Sequence, residues 1–133
     1  MYTEEEIQEK QNLAEELKLA QRELLYNPSL TKKCNGIGAD WMWANLRDVI
    51  STMNPTLVLS ADIHDCAYEK GGTEEDRDMA DKAFLDNSLI LANDRYAWFN
   101  PLRYRVKKQA RKFYAILRVF GKYAFNYKSE KEQ

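Results

Sequence analysis

A chain of 133 residues is the length of one domain, and 44% hydrophobic with 31% charged residues is an ordinary globular composition. No run approaches the roughly 20 apolar residues needed to cross a bilayer, and the first residues (Glu4, Glu5, Glu6) are acidic where a secretory leader would be basic and then apolar. The net charge of −1 conceals a segregation: residues 1–94 hold 9 Lys/Arg against 19 Asp/Glu, whereas residues 95–128 hold 10 Lys/Arg and no acid. Such a basic end either meets an anionic partner or docks on the acidic body of its own chain. Two cysteines, Cys34 and Cys66, cannot build a disulfide framework, so the fold must rest on packing. A single bridge is open to them, but two free thiols are expected.

In chain order, residues 3–26 read as a first helix. Thr3 and Glu6 make a capping-box pattern, Leu13, Leu17, Ala20 and Leu24 form one stripe, and Asn27-Pro28-Ser29 ends it. Residues 31–40 are a turn-rich loop, and 41–53 read as a helix burying Trp41, Trp43, Leu46, Val49 and Ile50. Asn54-Pro55 breaks the chain, with a short strand at 56–59 as the one candidate for β structure. Ser60 is expected to cap a helix over 60–70 that Gly71-Gly72 stops. Thr73 and Asp76 cap the next, which runs to about Asn93; Asn100-Pro101 precedes a last helix over 102–125. The fold class is all-α. A single domain is expected over 1–133: an N-terminal helix to 30, a central region over 31–94, a basic and aromatic helix over 95–128, and a tail over 129–133.

His64 is the only histidine. Tyr68 lies one turn further on the same helical face, while Asp65 points about 100° away, toward a neighbouring loop. Gly71-Gly72 makes a tight hairpin, so two helices run antiparallel. Asp81 follows Gly71 by ten residues and His64 precedes it by seven, so the two sit at similar distances from the turn. Asp81, rather than Asp78 one turn earlier, is expected to reach the imidazole, fix its tautomer and share Tyr68 as a donor. Upstream, Gly36 and Gly38 allow a loop to turn carbonyls inward, the kind of oxygen donor that calcium takes.

Together these segments resemble the phospholipase A2 superfamily, in particular its cysteine-poor parvoviral, bacterial and phage-like members. Cys34-Asn35-Gly36-Ile37-Gly38 resembles the x-x-Gly-x-Gly calcium loop, His64-Asp65-Cys66-Ala67-Tyr68 matches the His-Asp-x-x-Tyr motif, and Ala80-Asp81-Lys82-Ala83-Phe84 resembles an Ala-Asp-x-x-Phe stretch. The resemblance covers about residues 33–90. It implies a phospholipase A2-like fold, a calcium loop plus two antiparallel catalytic helices with flanking N- and C-terminal helices. It implies a calcium ion held by the carbonyls of Cys34, Gly36 and Gly38 and by both oxygens of Asp65. It also implies His64 as general base, Asp81 and Tyr68 as its orienting partners, and Gly36 as an N–H donor to the oxyanion. The activity implied is hydrolysis of the sn-2 ester of glycerophospholipids at a membrane surface. The alternative is a catalytically inactive homologue that binds lipid or protein. Two departures stand out: the chain lacks the many disulfides of secreted members, and a long insertion with Trp41 and Trp43 separates Gly38 from His64.

Membrane contact is expected from Lys107, Lys108, Arg111 and Lys112, with Trp98 and Phe99 as aromatic anchors. Phe113, Leu117 and Phe120 are expected in the core. The acidic body argues against nucleic acid as the partner of the basic helix.

Overall fold

The computed structural model describes residues 2–27 and 54–128. Among these residues four α-helices form, with no strand: α1 (Glu4–Glu16), α2 (Val58–Lys70), α3 (Glu74–Arg95) and α4 (Pro101–Phe120). The all-α expectation holds there. The helix expected over 41–53 and the glycine loop lie outside the described residues.

Three helix starts follow directly from local chemistry. Thr3 and Glu6 bond reciprocally through side chain and backbone at α1, and Thr73 and Asp76 do the same at α3. Asn100 caps α4 through its side chain, with Pro101 at the first position, where a missing N–H costs nothing. Ser60, expected as a cap, instead lies inside α2. Asn54 and Pro55 start a 3-10 turn (Pro55–Leu57) that leads straight into α2, replacing the strand considered at 56–59. The Ser60 hydroxyl bonds the Leu57 carbonyl at 2.8 Å and sits 2.7 Å from Ser88 Oγ, a buried polar link from α2 to α3.

The first helix is shorter than its apolar stripe suggests. It ends at Glu16, turns through Lys18 (φ 54°) and Gln21 (φ 60°), and resumes as a 3-10 turn over Arg22–Tyr26. Two forces favour the break. Leu24 and Leu25 are adjacent, about 100° apart on a straight helix, yet both are buried, in different apolar clusters. The fully buried Asn87 of α3 also recruits the opened backbone: its Oδ1 accepts from Ala20 N at 2.7 Å, and its Nδ2 donates to Ala20 O at 2.9 Å. Ala20 itself is exposed.

α2 and α3 form the antiparallel hairpin, and α3 packs on both α2 and α4. Gly71 (φ 70°) makes the turn, and a Cβ there would lie 1.8 Å from the Asn126 carbonyl, so glycine is needed for conformation and for space. That carbonyl accepts from Gly72 N, and Lys128 N donates to Gly72 O, which ties the segment after α4 to the hairpin tip. The main core joins Tyr68, Phe84, Val106, Ala110, Phe113 and Leu117. On α4 the buried stripe is therefore 106–110–113–117; Phe120, expected inside, is 49% exposed, because α4 ends there and its stripe has already passed. At the other side α1 is held to α2 by Asp62, which is buried against Lys10 Nζ at 2.8 Å and Tyr2 OH at 2.9 Å. Burial pushes the Asp62 carboxyl up from its ordinary range, and Lys10 and Tyr2 offset part of that.

Asn87→Ala should leave a buried gap and remove both bonds to Ala20. The expected loss is about 1–3 kcal/mol, read as a lower urea midpoint with an unchanged slope.

Candidate active site

α2 carries His64 and Tyr68 on one face, and the hairpin brings Asp81 of α3 opposite them. His64 Nε2 lies 2.8 Å from Asp81 Oδ1, and the Tyr68 hydroxyl donates to the same oxygen at 2.6 Å. Asp78, the competitor one turn away, is exposed and does not face the imidazole. The rings pack closely: His64 and Tyr68 centroids are 4.1 Å apart at a tilt of 41°, and Phe84 meets His64 edge-on at 5.6 Å. His64 is 3% exposed and Asp81 is 0% exposed.

The remaining Asp81 oxygen is held by residues that the motif does not contain. Arg118 of α4 donates from Nη1 to Asp81 Oδ2 at 2.6 Å and pairs with Asp78 through Nη2. Arg77 Nη1 stands 3.5 Å from the same oxygen, while its other nitrogens bind Glu74. Gly121 closes the far side; a Cβ there would lie 2.2 Å from the Tyr68 hydroxyl, so only glycine lets that hydroxyl sit where it does.

Burial alone would raise the Asp81 carboxyl, but the bonds from His64, Tyr68 and Arg118 outweigh it and hold the group below the usual carboxylate range. Burial and the Asp81 charge push the Tyr68 phenol far above its ordinary value, so it remains a donor. An ionised Asp81 can only accept, so the Nε2 that faces it carries the ring proton in this pair. The arrangement can stabilise an imidazolium, the requirement for general-base chemistry.

Asp65, next along α2, is half-buried. Cys34, Gly36 and Gly38 lie outside the described residues. Among the described residues, no group of three or more His, Cys, Asp or Glu is arranged to hold a metal. Cys66 is completely buried and disulfide-bonded, which corrects the expectation of two free thiols; the one other cysteine in the sequence is Cys34. A bridge at a buried cysteine adds constraint to a small core.

On α4, Lys108, Arg111 and Lys112 are exposed and Lys107 is half-exposed. None of the four makes an ion pair among the described residues. Trp98 and Phe99, 72% exposed each, stand at the turn before this helix. The Trp98 carbonyl accepts from Tyr104, whose ring lies 6.0 Å from Lys107 Nζ, so aromatic turn and basic face adjoin. A separate cleft of about 520 Å³ opens at the far end of the hairpin, lined among others by Lys10, Leu13, Val58, Leu91 and Tyr96; it does not include His64.

Sequence reasoning missed Arg118, Arg77 and Gly121. Arg118 was visible only as one more basic residue of α4, and its pairing depends on how α4 packs on α3. Comparison with family models, curated proteins and solved structures finds no match to this chain.

Asp81→Asn should remove the buried counter-charge that Arg118 and Arg77 share, leaving them only the exposed Asp78 and Glu74, and cost roughly 2–4 kcal/mol at pH 7. The folded Asp81 titrates below its unfolded value, so its contribution is full above about pH 4 and fades as the pH falls through the folded value. Urea unfolding at pH 7 and pH 3 should show the gap between wild type and variant closing in acid.

Proposed function

We propose that this chain hydrolyses the sn-2 ester of glycerophospholipids in the manner of phospholipase A2, with His64 as general base. The observation that carries this reading is the buried His64–Asp81–Tyr68 cluster, built on an antiparallel hairpin and preceded in sequence by a Gly-x-Gly loop. His64 Nδ1 takes a proton from the attacking water and later returns it to the leaving alkoxide. One ester bond is exchanged for a lysophospholipid and a free fatty acid. Asp81 holds Nε2–H through the step and stabilises the imidazolium; Tyr68 keeps Asp81 in place.

The group implied at this site is a calcium ion. Asp65 is the only member of the proposed ligand set among the described residues, and a bidentate carboxylate with backbone carbonyls is a donor set that suits calcium. The carbonyls of Cys34, Gly36 and Gly38 would complete it. When bound, calcium supplies positive charge to the ester carbonyl and to the lipid phosphate. A backbone N–H of Gly36 is the proposed second donor to the oxyanion.

The second reading is a catalytically inactive homologue that binds lipid or protein. The burial of the His64 ring favours it, since a base must reach its water. Calcium-dependent release of fatty acid from mixed liposomes separates the two.

His64→Gln should abolish that release while the helical spectrum and unfolding midpoint stay close to wild type. Asp65→Asn should lose the calcium-dependent activity while keeping the helix, and calorimetry should find wild-type binding near the weak end, about 10⁻⁴–10⁻³ M. Full hydrolysis by the His64 variant would remove the base assignment.

The proposed route to substrate is a peripheral contact through Lys107, Lys108, Arg111 and Lys112, with Trp98 and Phe99 at headgroup depth. Each cation near an anionic surface is worth about 1 kcal/mol. Reversing all four to Glu should weaken sedimentation with anionic vesicles by on the order of a hundredfold or more. Hydrolysis of a soluble short-chain ester should change little. Unchanged sedimentation would show that this face serves another partner.

A further inference from the structure

We infer that Arg118 is a positioning residue for the His64–Asp81 pair, and that it couples the last helix to the site. Its consequence for turnover rests on the reading of His64 as base; the geometry does not.

The two oxygens of the Asp81 carboxylate have different partners. Asp81 Oδ1 accepts from both His64 Nε2 and the Tyr68 hydroxyl. If nothing engaged Oδ2, the carboxylate could turn about its Cβ–Cγ bond and the two oxygens could trade places, since terminal torsions of this type are broad. Arg118 removes that freedom by donating to Oδ2 at 2.6 Å. Its second nitrogen is engaged by Asp78 on the solvent side, so the guanidinium plane spans two carboxylates one turn apart on α3. A planar fork is suited to this, and a lysine ammonium is not. Arg77 does not duplicate the role. Its Nε and Nη2 are held by Glu74, its Nη1 donates to the Leu117 carbonyl at 3.2 Å, and it reaches Asp81 only at 3.5 Å.

Arg118 is also placed to transmit. It stands two turns beyond Arg111 on the same stripe of α4, one end of which carries the exposed basic side chains. A small shift of α4 against α3 would move the Oδ2 partner while leaving the Oδ1 partners on α2 in place.

The sole histidine makes the test clean. The full chain, labelled with ¹⁵N in histidine, should show one ring tautomer with the proton on Nε2 and slow exchange of that proton with solvent. Arg118→Gln should give mixed tautomers or exchange faster by roughly tenfold or more, the scale on which outer partners act on a functional group. Because Arg118→Gln removes counter-charge from Asp81 and so weakens the fold itself, Arg118→Lys is the second variant. It keeps the charge, should fold, and should still show faster exchange, because an ammonium does not span both carboxylates. In the hydrolysis assay, Arg118→Lys should lower kcat by roughly tenfold with little change in KM for a soluble ester. A folded variant whose His64 tautomer and exchange match wild type would overturn the inference and leave Arg118 as a staple between α3 and α4. If wild type shows no hydrolysis, the ring spectrum still decides the role of Arg118. If wild type hydrolyses and the variant spectrum is unchanged, the base reading stands and this inference falls.

Discussion

A carboxylate with no solvent exposure organises this structure. Asp81 would be costly to bury as an isolated ion, and a free carboxyl in that position would be expected to take up a proton instead. It stays ionised because donors converge on it from three helices: His64 and Tyr68 on α2, Arg118 on α4, and more distantly Arg77 on its own helix. Each must be delivered to within a few tenths of an ångström. The turn, the helix lengths and the packing angles are all constrained by that single charge.

The constraint is met by close approach as much as by hydrogen bonds. Tyr68 reaches Asp81 because Gly121 has no side chain to displace its hydroxyl. α2 ends in time to turn because Gly71 accepts φ 70° and leaves room for the Asn126 carbonyl. The segment after α4 thereby bonds the hairpin tip at Gly72 while Phe125 packs edge-on against Tyr68 at 5.1 Å. Glycines at two separate places serve one geometry: the first sets the hairpin, the second lets the chain that follows α4 press against it.

Features governed by neighbours in sequence were legible before the structure. The capping boxes at Thr3 and Thr73, the stop at Gly71-Gly72 and the placing of Asp81 rather than Asp78 opposite His64 follow from helix geometry and side-chain chemistry over a few residues. What was not legible depends on distant partners. The break after Glu16 answers to Asn87, some seventy positions away. Arg118 looks like any other cation of a basic helix until α4 is laid on α3. The bonded state of Cys66 cannot be read from a count of two. The stripe on α4 was placed one turn too far, at Phe120, because periodicity shows which face is apolar but not where the helix runs out of neighbours.

The charge segregation admits a resolution that neither of its two simple readings contains. If the basic end existed to neutralise the acidic body, its cations would be paired; Arg118 is, with Asp78 and Asp81, but Arg105, Lys107, Lys108, Arg111 and Lys112 form no ion pair among the described residues. If it existed only to meet an external anion, no cation would reach a buried acid. One helix does both, because its edge reaches α3 at Arg118, while Arg111 two turns earlier on that stripe, and Lys108 and Lys112 beside it, face solvent. The paired edge fixes where α4 sits, and that position determines where the unpaired side chains point. The proposed contact surface and the buried carboxylate are thus two consequences of a single packing arrangement. A substitution that disturbs the packing of α4 on α3 must alter the two together.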